Sequence, residues 1–326
     1  MATTSLNNDD YQIGIVCALH IEWAAMIAML DQEHASLPKD KADSNEDTFG
    51  SIGEHNVIIA CLPAGSMGTT PAATVAGNML RSFSIKFGLM VGIGGGVWSK
   101  SNDIRLGDIV VRQPTGKHGG VVQWDEGHAK EGRLERRGQL DRPPKVLLHA
   151  LQSLKTKGEM EELGISTALE YMATNKPKMA KGPNKYTYPA LVDRLFKASY
   201  PHTTDDNSDD NTCDKCDTEE TTTREDREDL QPEIFYGNIV SGNSVMKNSK
   251  QRDDIAKQEE VLCFEMEAAG LMNNFPCLVI RGIADYSDSH KNKMWQRYAA
   301  ATAAAFARVF LGFVDKQKLV ETPSKS

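Results

Sequence analysis

A chain of 326 residues, 40% hydrophobic and 25% charged, can build one large α/β domain or two small ones around a sizeable core. Its composition is that of an ordinary soluble protein. No run of about 18 apolar residues points to a membrane span, and the opening Met1-Ala-Thr-Thr-Ser-Leu-Asn-Asn-Asp-Asp10 lacks the apolar centre of a signal peptide. A cytoplasmic protein with no membrane partner is the expectation.

In chain order, a disordered leader (1–10) precedes the β-rich run Tyr11 to Cys17 and a helical pattern over Glu22 to Leu30. Val57 to Leu62 reads as a strand, Pro71 to Ser82 as an Ala-rich helix, and Phe87 to Val91 as a buried strand. Asp108 to Arg112 is a further strand, followed by helices over Pro144 to Leu154 and Leu191 to Ala198. Residues 201–230 carry 12 acids against 3 Lys/Arg, too polar to fold alone, and read as a disordered insertion. That segment more than accounts for the formal net charge of -8. The rest is close to neutral and has no basic stripe, which argues against nucleic acid as a partner.

Beyond the insertion come a strand over Ile234 to Val240, helices over Lys250 to Gln258 and Glu265 to Asn273, and a strand over Leu278 to Arg281. A closing helix runs from about Trp295 to Val314, and 315–326 reads as a disordered tail. Strands alternating with helices predict an α/β fold with a mostly parallel or mixed central sheet flanked by helices. No internal repeat or Gly/Ser linker divides it, so residues 11–314 are one domain with one insertion.

Four of the six cysteines (17, 61, 263 and 277) lie in apolar runs, where a thiol acts as a small hydrophobe. The other two form Cys213-Asp-Lys-Cys216 inside the acidic insertion. With no second CxxC and no paired His motif, these read as thiols on a floppy loop, and no metal is expected.

Three glycine-bearing segments follow strands. Gly92-Ile-Gly-Gly-Gly-Val97 bares the backbone, so amides at Gly94 and Gly95 can approach an anion or a sugar; a tight turn at a crowded sheet edge accounts for it equally well. It is neither a dinucleotide fingerprint nor a Walker loop. Ala64-Gly-Ser-Met67-Gly-Thr69 leads into a helix, and Ser241-Gly-Asn-Ser-Val245-Met246 ends another strand. Glu22, Glu267 and Asp285 each have a plain reading: a helix-dipole partner, a surface residue, a turn former. Together, at strand ends of one sheet, they resemble a site that activates water on one side of a sugar and protonates a leaving group on the other.

As a set, Ile13 to Glu22, Leu106-Gly-Asp-Ile-Val110, Val240-Ser-Gly-Asn243, Glu265-Met-Glu-Ala268 and Arg281-Gly-Ile-Ala-Asp285 resemble the purine nucleoside phosphorylase/uridine phosphorylase superfamily. The methylthioadenosine/S-adenosylhomocysteine nucleosidases are the nearest branch. Asp288-Ser-His-Lys-Asn-Lys293 and Pro114 to Gly120 resemble the nucleoside-phosphorylase-like domains of fungal NLR-type proteins. The resemblance implies that Glu22 activates water, Met266 packs on ribose, Glu267 binds its hydroxyls, and Asp285 protonates the base. It places Val245 and Met246 against the purine, where Val245 replaces the usual aromatic, and Met67, Gly94, Gly95 and Arg281 in the substrate-binding set. The loop Ala18 to Glu22 lacks the phosphate-binding arginine of the phosphorylases, so the implied reaction is hydrolysis without a cofactor, with phosphorolysis or pure nucleotide sensing as alternatives. Lys291 and Lys293, just before the aromatic Trp295, suit a 5′-phosphate, ATP included. The family also implies a homo-oligomer, a dimer or a trimer of dimers.

Overall fold

A computed structural model describes residues 6–130, 133–136, 138–202 and 212–321, with the backbone alone at 129–130, 133–136 and 320–321. The first half holds β1 (Ile13–Cys17), α1 (His20–Ile27), β2 (Gln32–His34), β3 (Asp47–Ile52), β4 (His55–Cys61), α2 (Thr69–Ser82) and β5 (Phe87–Gly96). Next come β6 (Ile109–Arg112), β7 (Val121–Gln123), the hairpin β8 (Gly127–Lys130) and β9 (Arg133–Arg136), α3 (Lys145–Gly158) and α4 (Ile165–Asn175). The chain closes with β10 (Ile234–Ser241), α5 (Ser249–Glu259), β11 (Val261–Glu265), β12 (Cys277–Asp285), α6 (Gln296–Leu311) and α7 (Lys316–Glu321).

The main sheet runs β11-β10-β6-β12-β5-β1-β4-β3-β2, with β7 beside β10. Strand side chains alternate between its two faces. In β1, Ile13, Ile15 and Cys17 pack with α1, α3, α4 and α6, and Val16 packs on the other side with α2. The alanine-rich α6 is buried on nearly every side, and a Cβ at Gly282 would lie 1.8 Å from the Ala299 carbonyl oxygen, so this helix rests directly on β12.

The sheet is mixed. β6 runs antiparallel to β12, and β10 and β11 run parallel to β6, so the last two oppose β12 and β5. β11 then pairs antiparallel with the end of β5, Cys263 opposite Gly96 and Phe264 opposite Gly95. The strands β5, β12, β6, β10 and β11 therefore close a ring. Curling, not a shared parallel edge, brings the carboxyl ends of β10 and β11 to those of β1, β5 and β12.

Several local expectations are corrected. Residues 92–96 are strand rather than turn, because their backbone pairs with both β12 and β11. No helix spans Glu265 to Asn273. β11 runs to Glu265, whose carboxylate accepts the amides of Glu267 and Ala268, and only a short 3-10 turn, Ala268–Gly270, follows. Residues 191–198 are not helical either. Their backbone bonds go outward, Lys197 N–H to the Glu220 carbonyl and Thr222 N–H to the Leu195 carbonyl, with a bridge between Phe196 and Thr221.

Those partners lie in the acidic insertion. Residues 203–211 fall outside the described residues, but 212–230 packs on the domain because its two arginines meet a buried acid, Asp108, and a half-buried one, Asp193. Arg227 forks onto Asp108 through two bonds of 2.7 Å, and Arg224 donates to the Tyr286 hydroxyl at 2.7 Å and pairs with Asp193 at 3.2 Å. Cys213 and Cys216 are buried against Phe196, not displayed on a floppy loop. At the ends, Asn8–Asp10 forms a 3-10 turn whose Asn8 side chain donates to the Pro38 and Ser82 carbonyls, and Leu319 of α7 joins the core; residues 1–5 and 322–326 lie outside the described set.

Candidate active site

Glu22 opens the site. It sits in the first turn of α1, just past β1, and is 2% exposed. Its Oε2 accepts the amides of Ala18 (2.7 Å) and Leu19 (2.9 Å), and its Oε1 accepts that of Ile93 (2.8 Å). Burial nevertheless raises its pKa, outweighing the Arg281 charge and these three bonds. A buried carboxylate held in place with a raised pKa is suited to take a proton from water.

Opposite lies the end of β11. Glu265 forms a buried ion pair with Arg281, and Glu267 lies 3.8 Å from the same guanidinium and accepts the Gly68 amide at 3.2 Å. Burial first, then the Glu265 and Glu22 carboxylates, push Glu267 up to about 7, while Arg281 pulls the other way. Arg281 is fully buried on β12. Burial works against its charge, but Glu265, Glu267 and Glu22 more than offset this and raise its pKa. It is thus a counter-charge beneath three carboxylates, not a group that reaches substrate.

The β5 glycines make room for this assembly. A Cβ at Gly92 would lie 2.4 Å from Arg281 Nη1 and 2.5 Å from Glu22 Oε1. At Gly94 it would meet Cys263 Sγ at 2.4 Å, and at Gly95 Ser287 Oγ at 2.0 Å and Asp285 Oδ1 at 2.5 Å. Asp285, at the end of β12, accepts the Ser287 amide at 2.9 Å and forms an ion pair with Lys291.

One cavity gathers most of the predicted residues: Glu22, Met67, Gly94, Gly95, Val245, Met246, Met266, Glu267 and Lys291 all line it. Met67 and Val245 are exposed, and Met246 is buried. Asp285 stands in the wall behind Ser287 and Lys291, which do line the cavity. Lys293 is exposed and lines no part of it. Trp295 is buried edge-on to Tyr188 and Tyr298, and lines a neighbouring cavity with Asp285 and His290. Lys117 and His118 face Glu259, at 3.3 and 2.8 Å, and line no part of the cavity.

Glu265, Ser287, Ser244, Phe264 and Gln296, absent from the expected site, also line the cavity, with Ala18, Leu19 and Ile93. Glu265 carried a signal: an arginine after the apolar run Cys277 to Ile280 needs a buried counter-charge, and Glu265 precedes Glu267 by two residues in an apolar strand. Asn243 adds a brace between loops. Its Oδ1 accepts from Thr69 N and Thr69 Oγ at 3.1 and 3.0 Å, and its amide donates to Asp125, tying the 64–69 and 241–246 turns together.

A family model described as the phosphorylase superfamily matches residues 12–314, and the chain belongs to that superfamily. It is 45% identical over 97% of its length to a "nucleotide-binding leucine-rich repeat (NLR)-like protein" of Hyaloscypha variabilis, of which it spans 30%. It is 23% identical to a 5′-methylthioadenosine/S-adenosylhomocysteine nucleosidase of Mycobacterium bovis, covering 92% of this chain and 95% of that one. Among solved structures, a putative nucleosidase of the same name from Borrelia burgdorferi, bound to adenine, superposes with a TM-score of 0.59 at 15% identity, covering 93% of this chain and all of that one.

Proposed function

We propose that this member of the phosphorylase superfamily is a purine N-ribosyl hydrolase that cleaves the glycosidic bond of an adenine nucleoside or nucleotide. The observation that carries this reading is the convergence of Glu22, Glu267 and Lys291 on one cavity, with Asp285 held in its wall. In the proposed reaction Glu267 accepts hydrogen bonds from the ribose hydroxyls. Water attacks the anomeric carbon and gives its proton to Glu22 as the carbon–nitrogen bond breaks. The electron pair of that bond passes to the purine, which takes a proton from Asp285. Free base and a ribose carrying the water oxygen leave.

Hydrolysis is favoured over phosphorolysis by the cations at hand. A phosphate acceptor needs a positive group free to meet it. The loop after β1 contributes Ala18, Leu19 and Glu22 to the cavity and no cation, and Arg281 is fully buried against Glu265.

The Lys291–Asp285 pair also supports the choice of a 5′-phosphorylated substrate, ATP among them. Lys291 is the one cation among the lining residues, and a phosphate on the substrate is the group that would draw it from Asp285. Lys293 has no part in it. The test is Lys291→Ala assayed on AMP or ATP and on adenosine. The expected result is at least about a tenfold fall in kcat/KM for the phosphorylated substrates relative to adenosine, the effect of about 1.4 kcal/mol. An unchanged ratio contradicts the 5′-phosphate assignment and leaves the hydrolase reading standing.

A further inference from the structure

His202, Cys213 and Cys216 form a second cluster, separate from the cavity that holds Glu22 and Glu267. One ring nitrogen of His202 and the two sulfurs lie within 4.8 Å of one another. The ligand atoms of a tetrahedral zinc, at about 2.0–2.3 Å from the metal, stand roughly 3.3–3.8 Å apart, so contraction of about 1 Å brings the three into a coordination shell. The two cysteines share a turn, Cys216 N–H donating to the Cys213 carbonyl at 3.2 Å, and form no disulfide.

Two observations separate this cluster from thiols that merely fill a core. Among the described residues, both ring nitrogens of His202 are buried with no hydrogen-bond partner, as are both of His290, whose Nδ1 lies 3.6 Å from Asp288 Oδ1 and whose ring centroid lies 5.4 Å from that of His202. Leaving a buried donor or acceptor unsatisfied costs about 1–3 kcal/mol. The surroundings are apolar: Phe196 stacks on His290 at 4.0 Å, and Tyr200 lies beside it.

We propose that His202, Cys213 and Cys216 bind a structural zinc ion, with His290 or a water as the fourth ligand. Two thiolates and an imidazole make a donor set that selects zinc over the harder divalent ions. Both thiols must lose their protons to bind the metal, so binding weakens as pH falls. The site has a structural task at hand. The His202 amide donates to Ser289 Oγ at 2.9 Å, and the Cys213 thiol lies 3.7 Å from the His290 carbonyl oxygen. The cluster therefore holds the turn that joins Asp285 to Lys291.

The test uses the whole chain, purified without chelator and incubated with zinc, then freed of excess ion and assayed for metal by elemental analysis. One zinc per chain is expected, and Cys213→Ser and Cys216→Ser should each lose it. Cobalt in place of zinc should give thiolate-to-metal charge-transfer and tetrahedral visible bands in the wild-type chain, a readout that does not depend on the variants folding. Wild-type chain that stays metal-free and gives no cobalt bands overturns the proposal, as does a Cys213–Cys216 disulfide found by mass spectrometry, or zinc retained in full by both variants.

Discussion

At Glu267 folding and function ask for opposite protonation states. Its pKa is raised to about 7 from an ordinary value of 4.5, chiefly by burial. Between those values the native chain holds a proton that the unfolded chain has released. The stabilising contribution is therefore complete below about 4.5 and is lost as pH rises through about 7. Gripping two hydroxyls needs the ionised acceptor and follows the reverse slope. The stability advantage of wild type over Glu267→Gln should be greatest near pH 5 and shrink towards about pH 8, read from denaturant unfolding. KM for a nucleoside substrate should fall over the same interval. A stability difference that is flat, or that grows with pH, contradicts the buried-carboxylate account.

Among the elements, β5 and the 212–230 segment best separate what the sequence makes legible from what it does not. The strand–helix alternation is plain because apolar runs and 3.6-residue patterns are local, and β1, β4, β10 and α6 fall close to the expected spans, while β12 runs past its expected end at Arg281 to Asp285. Glu22 and Glu267 are legible as carboxylates just past strands. The ring closed by β11 and β5 is not, since pairing between distant strands leaves no local trace, and Gly92 to Gly96 reads equally well as a turn until its partners are known. The insertion misleads for a related reason. Its acids dominate the composition, while two arginines fix it through partners far along the chain. Arg227→Ala leaves Asp108, 1% exposed, without its counter-ion. A loss of about 3 kcal/mol is expected in denaturant unfolding. The double variant Asp108→Asn with Arg227→Met should recover part of it; a single variant as stable as wild type would mean that 212–230 is not docked.

For the whole molecule, the closed ring of strands explains why one crevice receives groups from strands of both directions. α6 and the two core clusters hold β1, β5 and β12 rigid behind it, while Met67 and Val245 stay exposed at its mouth. A homo-oligomer covering those two residues belongs with the proposal. No helix among the described residues is long and apolar enough to cross a membrane. The central claim is that this crevice hydrolyses an N-glycosidic bond with Asp285 as the acid. Its most direct test is chromatography of free adenine released from ATP, AMP, adenosine and methylthioadenosine, with and without inorganic phosphate, by wild type and by Asp285→Asn. The account predicts adenine and a ribosyl product from at least one of these substrates, independent of phosphate, and loss of release by the variant. No free base from any of them, a strict requirement for phosphate, or equal turnover by Asp285→Asn would contradict it.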